Sequence, residues 1–230
     1  MSVFKKKIKQ LQYRVLIEGI ARHVVWRYFI DKFVMRDRKK PPKSGGIVFV
    51  GSSTIWFWKT LKEDMAPLPV IRRGFGGSII GDSTYFADKI ILPYRPRMVV
   101  LYAGDNDITH YNKFQLDWDP ATRCLEDYKR FTGKIRAVLP ATSIFFISIK
   151  PSSSRLKYWP HLKKANELIE KHSREDDRLH FIDTTPVMFN AEGNVRDELF
   201  KKDRLHLNEK GYALWTSIIK PILSKEFGLG

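Results

Sequence analysis

Five short segments that read as strands, most of them apolar and separated by stretches with helical spacing, constrain this chain more than any other feature. They lie near 47–50, 70–73, 98–103, 143–149 and 179–183. Runs of this length bounded by turn residues read as buried strands. Strands alternating with helices predict an α/β fold, a parallel sheet with helices on both faces. The spacing alone leaves the strand order open. Helical spacing is expected over 78–91 and 121–139, and Asn208-Glu209-Lys210-Gly211-Tyr212 reads as the cap and first turn of a last amphipathic helix. With 230 residues and 43% hydrophobic content the chain can bury a substantial core. It lacks repeats and long Gly/Ser linkers, so one domain over 47–230 is expected, preceded by an arm over 1–46.

The arm carries most of the charge. Thirteen Lys or Arg and three acids fall within 1–46, so that +10 of the formal +16 sits there. Phe4, Ile8, Leu11 and Val15, then Trp26, Phe29, Ile30 and Phe33, share one helical face, with Lys5, Lys6, Lys9 and Arg27 away from it. Gly19, Arg22 and Glu18 interrupt that face, which points to two shorter helices. An amphipathic basic helix of this kind suits peripheral contact with an anionic membrane through residues 1–40. Docking on the enzyme, or on a second subunit in a homo-oligomer, is the competing expectation. No run of about 18 uncharged residues exists, so a membrane span is not expected. Arg14, Glu18 and Arg22 also disfavour a secretory signal, and a cytoplasmic, membrane-peripheral location follows as an expectation. Lys39-Lys40-Pro41-Pro42-Lys43-Ser44-Gly45-Gly46 reads as a linker to the first strand.

Chemistry-bearing residues collect at the ends of the strands. Ile47-Val48-Phe49-Val50 runs into Gly51-Ser52-Ser53 and then Thr54-Ile55-Trp56-Phe57-Trp58. The order strand, tight turn, helix places the Ser53 hydroxyl on rigid scaffold beside unpaired N–H groups, where it can attack a carbonyl. Val70-Ile71-Arg72-Arg73 leads into Gly74-Phe75-Gly76-Gly77, a turn in which Gly77 can offer its N–H to a ligand. Met98-Val99-Val100-Leu101-Tyr102-Ala103 is followed by Gly104-Asp105-Asn106-Asp107, expected as a loop at the sheet edge where sites form. The Asn106 amide is a fixed donor suited to an oxyanion. Near the C-terminus, Asp203-Arg204-Leu205-His206 puts a carboxylate three residues before an imidazole. Such an aspartate can bend back to Nδ1 and leave Nε2 free to take a proton.

In chain order these segments are Gly-x-Ser, Gly, Gly-x-Asn-Asp and Asp-x-x-His. The pattern resembles the SGNH hydrolases, the GDSL-like esterase and lipase superfamily, over about residues 47 to 225. The resemblance implies a flavodoxin-like three-layer sandwich with a five-stranded parallel sheet in the order 2-1-3-4-5, plus the N-terminal helical arm. It implies Ser53 as nucleophile, His206 as general base and Asp203 as its orienting partner. Ser53, Gly77 and Asn106 would form the oxyanion hole. Two positions depart from the family pattern: Ser52 stands where the family name has aspartate, and Arg72 where asparagine is usual. Gly81-Asp82-Ser83 spells the family tripeptide, but it lies within the helical stretch 78–91, without the turn that exposes a nucleophile. A Gly-x-Ser-x-Gly elbow is absent, which argues against an α/β-hydrolase.

The expected function is a serine esterase hydrolysing acyl esters, short-chain or lysophospholipid, with acetylated or acylated carbohydrate as the alternative substrate. Its activity should fall on acidification as the base is protonated. A basic chain with abundant aromatics also fits a non-catalytic binder of nucleic acid or anionic membrane. No RNA-binding signature or Walker loop appears, and nucleic acid is not expected as a partner. No cofactor is expected, and the histidines lack paired metal-ligand spacing. Cys124, the only cysteine, is expected to be a buried small hydrophobe. Trp56, Phe57 and Trp58 are expected to pack on the core, and Phe114, Trp118, Tyr158 and Trp159 to lie on cleft-lining segments.

Overall fold

Each of the five expected segments is a strand in the computed structural model, which describes residues 23–113 and 119–229. The strands are β1 (Ile47–Gly51), β2 (Val70–Gly74), β3 (Met98–Tyr102), β4 (Ser143–Ile147) and β5 (Leu179–Ile182). They form one sheet in the order β2-β1-β3-β4-β5 with every pair parallel, the order that the family resemblance implies. Every residue of β1, β3 and β4 is buried, and both faces of these strands are covered. That double coverage is why their sequences are unbroken apolar runs rather than alternating ones.

Helix α1 covers 23–39. It is followed by α2 (Ser53–Phe57), α3 (Leu61–Asp64), α4 (Ile80–Tyr85), α5 (Ala87–Ile90), α6 (Asp105–Lys113), α7 (Pro120–Val138), α8 (Trp159–Ser173) and α9 (Glu209–Phe227). Val48, Val50, Val99 and Leu101 face a core closed by α1, α4, α5, α7 and α8. Ile47, Phe49, Val100 and Tyr102 face the opposite core, closed by α2, α3 and α9. The alternation follows from the two-residue period of a strand. Cys124 is fully buried in the first core, where burial pushes its thiol well above the ordinary range.

Two stretches differ in detail from expectation. The helical run over 78–91 divides at Phe86, whose backbone (φ −89°, ψ 4°) leaves the helix and sets its ring edge-on to Phe75. The Gly-Asp-Asn-Asp segment is a helix from Asp105 onward rather than a loop. Asp105 caps its own turn by accepting the Asn106 N–H at 2.9 Å, and acids in a first helical turn suit the positive end of the peptide dipoles.

Helix α1 is latched to the sheet. Ile30 is fully buried in the first core, with Trp26 and Phe33 packed against it. Asp37 accepts two hydrogen bonds from the Arg73 guanidinium, each of 2.7 Å, and one of 2.5 Å from the Tyr94 hydroxyl. Burial and the bond to Asp37 push the Tyr94 phenol up to about 12. The first half of the arm's apolar stripe, Phe4 to Val15, lies outside the described residues, as do Phe114 and Trp118.

Candidate active site

The end of β1 is built so that only glycine fits. Gly51 has φ +132°, and a Cβ there would lie 1.9 Å from the Tyr102 carbonyl oxygen. That close approach lets Ser52 N–H donate to the same oxygen at 2.9 Å, while the Ser52 carbonyl accepts from Ile55 and Trp56 N–H. Ser52 is thereby the buried N-cap residue of α2, and Ser53 is the first residue of the helix and half-buried. A residue there has no intrahelical acceptor for its N–H. Tyr212 of α9 donates to the Thr54 carbonyl at 2.8 Å and ties α2 to the last helix.

The second arm of the site is the turn before α9. Lys201 N–H donates to the His206 carbonyl at 2.8 Å and Arg204 N–H to the Lys201 carbonyl at 2.9 Å, so the chain doubles back over six residues. Arg204 is left-handed (φ 51°), a conformation with an energetic cost for a side chain with a Cβ. Its carbonyl accepts from Ser154 N–H at 3.3 Å and from Ser154 Oγ at 3.1 Å, which anchors the turn to the segment after β4.

This turn brings an imidazole to the serine across 153 residues of sequence. His206 Nε2 lies 2.9 Å from Ser53 Oγ. His206 Nδ1 lies 2.7 Å from Asp203 Oδ2. The other carboxylate oxygen, Oδ1, accepts the backbone N–H groups of Leu205 and His206, each at 3.0 Å. Burial alone would raise the Asp203 carboxyl, but the bonds from the His206 ring and these two N–H groups outweigh it and hold the group at about 2. The Phe57 ring stands edge-on to His206, centroids 4.8 Å apart.

Comparison with known proteins places the chain in a family. The family model described as the GDSL-like Lipase/Acylhydrolase family matches residues 48–214. The chain belongs to that family. It is accordingly a hydrolase of ester bonds. No curated protein matches it in sequence. Among solved structures, a Streptococcus pneumonia protein named for platelet activating factor is similar over 91% of this chain and 98% of its own, with TM-score 0.74 and 16% identity. A GDSL-like lipase from Bacteroides thetaiotaomicron is similar over 86% of this chain and 98% of its own (TM-score 0.69, 16% identity). An acetylxylan esterase from Geobacillus stearothermophilus is similar over 82% and 96% (TM-score 0.59, 11% identity). At these identities the likeness is one of fold.

In this GDSL-like hydrolase the glycine turn and the start of α6 are held together. Gly77, exposed and at φ +73°, lies beside the Trp26 ring, which comes within 3.6 Å of where its Cβ would be. On the other side, a Cβ on Gly76 would meet the Trp56 ring at 3.2 Å. Asn106 Nδ2 donates to the Ser78 carbonyl at 3.0 Å, next to Gly77. Asp107 Oδ1 accepts the Ile80 N–H at 2.9 Å, and burial first, then nearby Asp127, Asp105 and Asp82, pushes its carboxyl well up. Asn106 is therefore tied to the residue that follows Gly77.

The two departures from the family pattern have local structural outcomes. Ser52 is wholly buried, and its hydroxyl has no hydrogen-bond partner among the described residues. Arg72 donates to the Trp58 carbonyl at 2.6 Å, so it holds the end of α2. Ser83 of the second Gly-Asp-Ser tripeptide is buried inside α4, and Asp82 caps that helix by accepting the Ile79 N–H at 2.9 Å. Trp58 is buried as expected, but Trp56 and Phe57 are half-buried, at the glycine turn and His206 respectively. Tyr158 and Trp159 pack against the first core.

Sequence reasoning missed Arg155 and Lys150. Arg155 donates to Asn106 Oδ1 at 2.9 Å and pairs with Asp105 Oδ2 at 3.1 Å. An acceptor role for Oδ1 fixes which end of the amide is Nδ2. Lys150 is 1% exposed, donates to the Tyr102 hydroxyl at 3.2 Å, and is brought down to about 8 chiefly by burial. Neither belongs to a local motif, so only the folded chain reveals them.

Proposed function

We propose that the protein is a serine esterase that transfers an acyl group first to Ser53 and then to water. The observation that carries this reading is the relay Ser53 Oγ to His206 Nε2 (2.9 Å) and His206 Nδ1 to Asp203 Oδ2 (2.7 Å). His206 takes the hydroxyl proton as Ser53 attacks the ester carbonyl, and a tetrahedral oxyanion forms. The imidazolium then gives its proton to the leaving alcohol as the C–O bond breaks. Water enters, His206 deprotonates it, and the acyl-enzyme is hydrolysed to the free acid. Asp203, ionised and fixed by three hydrogen bonds, keeps the Nδ1–H tautomer and stabilises the imidazolium.

The oxyanion is received by the N–H groups of Ser53 and Gly77 and by the Asn106 amide. Support comes from Ser53 opening α2 and from Asn106 lying beside the Gly77 turn. An amide carries two N–H donors. One is spent on Ser78, and the other serves the substrate. The half-buried rings of Trp56 and Phe57 supply an apolar wall for the ester, which suits short-chain acyl esters or lysophospholipids. Acetylated carbohydrate is the second reading, favoured by the fold likeness to an acetylxylan esterase. A panel of p-nitrophenyl esters from short to long acyl chains, run with wild type and Ser53→Ala, tests the reading. Hydrolysis that survives Ser53→Ala would overturn it.

For the arm we propose peripheral contact with anionic membrane. No described helix is long and apolar enough to cross a bilayer. Val24, Val25 and Tyr28 of α1 are 67%, 55% and 61% exposed, and they continue a basic stretch. Flotation with anionic vesicles at low salt should retain the full chain and lose protein lacking residues 1–22. Equal flotation of both would contradict the assignment.

A further inference from the structure

Beside the proposed catalytic relay runs a groove of about 580 Å³ between α1, the α2–α3 turn and the edge strand β2. Its walls carry Arg36, Lys40, Lys59, Lys62 and Arg72 against one uncommitted acid, Glu63. The other acid, Asp37, is spent on Arg73 and Tyr94. Among the described residues, Arg36, Lys40, Lys59, Lys62 and Lys201 form no ion pair. The cations are close enough to act on one another. Burial and then Arg72 and Lys201 lower the Lys59 ammonium, and burial and then Arg36 lower Arg72. Crowding like charges has a cost that a bound anion offsets.

Lys59 links the groove to the aromatic rings beside the proposed relay. Its ammonium lies 4.9 Å from the centre of the Trp56 ring in the groove and 5.9 Å from that of Phe57. Lys201 Nζ lies 4.4 Å from the centre of the same Phe57 ring, which meets His206. Lys201 also precedes Asp203 by two residues, so its cation comes from the turn that carries the base. A track of positive charge thus runs from Arg36 and Arg72 through Lys59 to Lys201, ending one aromatic ring from the imidazole.

We infer that this track binds a phosphate-type oxyanion carried on the alcohol portion of the ester substrate, so that the enzyme prefers anionic over neutral esters. The inference rests on the ester-hydrolase reading for the position of the acyl group, while the groove's charge stands on its own. Several cations around one concavity suit a tetrahedral dianion, which spreads its charge over several oxygens, better than a single carboxylate. Arg72 has a part in this beyond holding α2. Where asparagine is usual in the family, this chain carries a cation in the groove wall.

The test compares two acetate esters that differ only in charge, 2-acetoxyethyl phosphate and 2-acetoxyethanol, followed by acid release at low salt. Wild type should show a kcat/KM at least about tenfold higher for the phosphate ester. Lys59→Gln with Lys201→Gln should remove most of that preference, read as the ratio of kcat/KM for the two esters. Calorimetry with 2-acetoxyethyl phosphate on Ser53→Ala, with and without the two lysine changes, reads binding apart from chemistry. Equal turnover of both esters overturns the anion site while the esterase reading stands. Hydrolysis of neither ester, with phosphate-ester binding that depends on the lysines, keeps the anion site and sinks the esterase reading. Binding that is the same with and without the lysines overturns the anion site whatever the turnover. Flotation with anionic vesicles distinguishes a lipid surface from a soluble ligand. Lysine-dependent flotation, with no preference between the soluble esters, overturns the substrate assignment in favour of a headgroup site.

Discussion

At the scale of single residues, the proposed mechanism depends on protonation states that the surroundings enforce. Asp203 is held at about 2, below its ordinary 3.8, so its stabilising contribution is complete above about 3.8 and is lost as the pH falls through about 2. It therefore stays ionised across the working range. Asp203→Asn should lower kcat on the order of 10³ to 10⁴ through the wrong tautomer, with the fold intact by circular dichroism. Asn106→Ala should lower kcat by about 10² to 10³ if its amide receives the oxyanion. Arg155 touches that amide through its Oδ1. Arg155→Met should lower kcat by about tenfold with KM little changed, less than Asn106→Ala does. Lys150 presents a linkage of the same sign as Asp203, in a higher pH window. Its folded value of about 8 lies below the ordinary 10.5, so the unfolded chain binds the extra proton between them and stability rises with pH across that window. Lys150→Met should erase that rise in denaturant titrations between about pH 8 and 10.5. An unchanged slope would mean that Lys150 does not carry a buried charge.

At the scale of elements, what could be read from the sequence depended on whether a segment's partners were local. β1, β3 and β4 are buried on both faces, so their apolar runs announced them without any knowledge of topology. The caps of α7 and α9, Asp119 accepting Thr122 N–H and Asn208 accepting Gly211 N–H, act over three residues. The Asn208 cap was legible for that reason. Asp203 and His206 were legible as a pair for the same reason. Bonds between distant segments were not. Arg155 meets Asn106 across 49 residues, Lys150 meets Tyr102 across 48, and Asp37 meets Arg73 across 36. No periodicity reports such pairs. The Asp105 helix start was also missed, because Gly-Asp-Asn-Asp has the composition of a turn and is helical only once Asp105 caps it. Two substitutions test the element-scale account. Gly51→Ala would force a Cβ onto the Tyr102 carbonyl and should cost about 3 kcal/mol or more, or prevent folding. Asp37→Ala leaves the nearly buried Arg73 guanidinium without its carboxylate and should cost about 3 kcal/mol in chemical denaturation, by releasing α1 from β2.

At the scale of the whole molecule, the sheet order places β1 and β3 side by side, with the chain leaving them in opposite directions across the sheet. The crevice beyond their carboxyl ends receives Ser53 from β1, the glycine turn from β2 and Asn106 from β3. The turn before α9 then closes over it with His206. One fold thus gathers Ser53, the glycine turn, Asn106 and His206 from four separate parts of the chain. The most direct test of this convergence is mass analysis of the protein after exposure to a fluorophosphonate, which traps an activated serine. The account predicts a single covalent adduct on the peptide containing Ser53, absent in Ser53→Ala and strongly slowed in His206→Ala. No adduct, or an adduct on another serine such as Ser83, would contradict it.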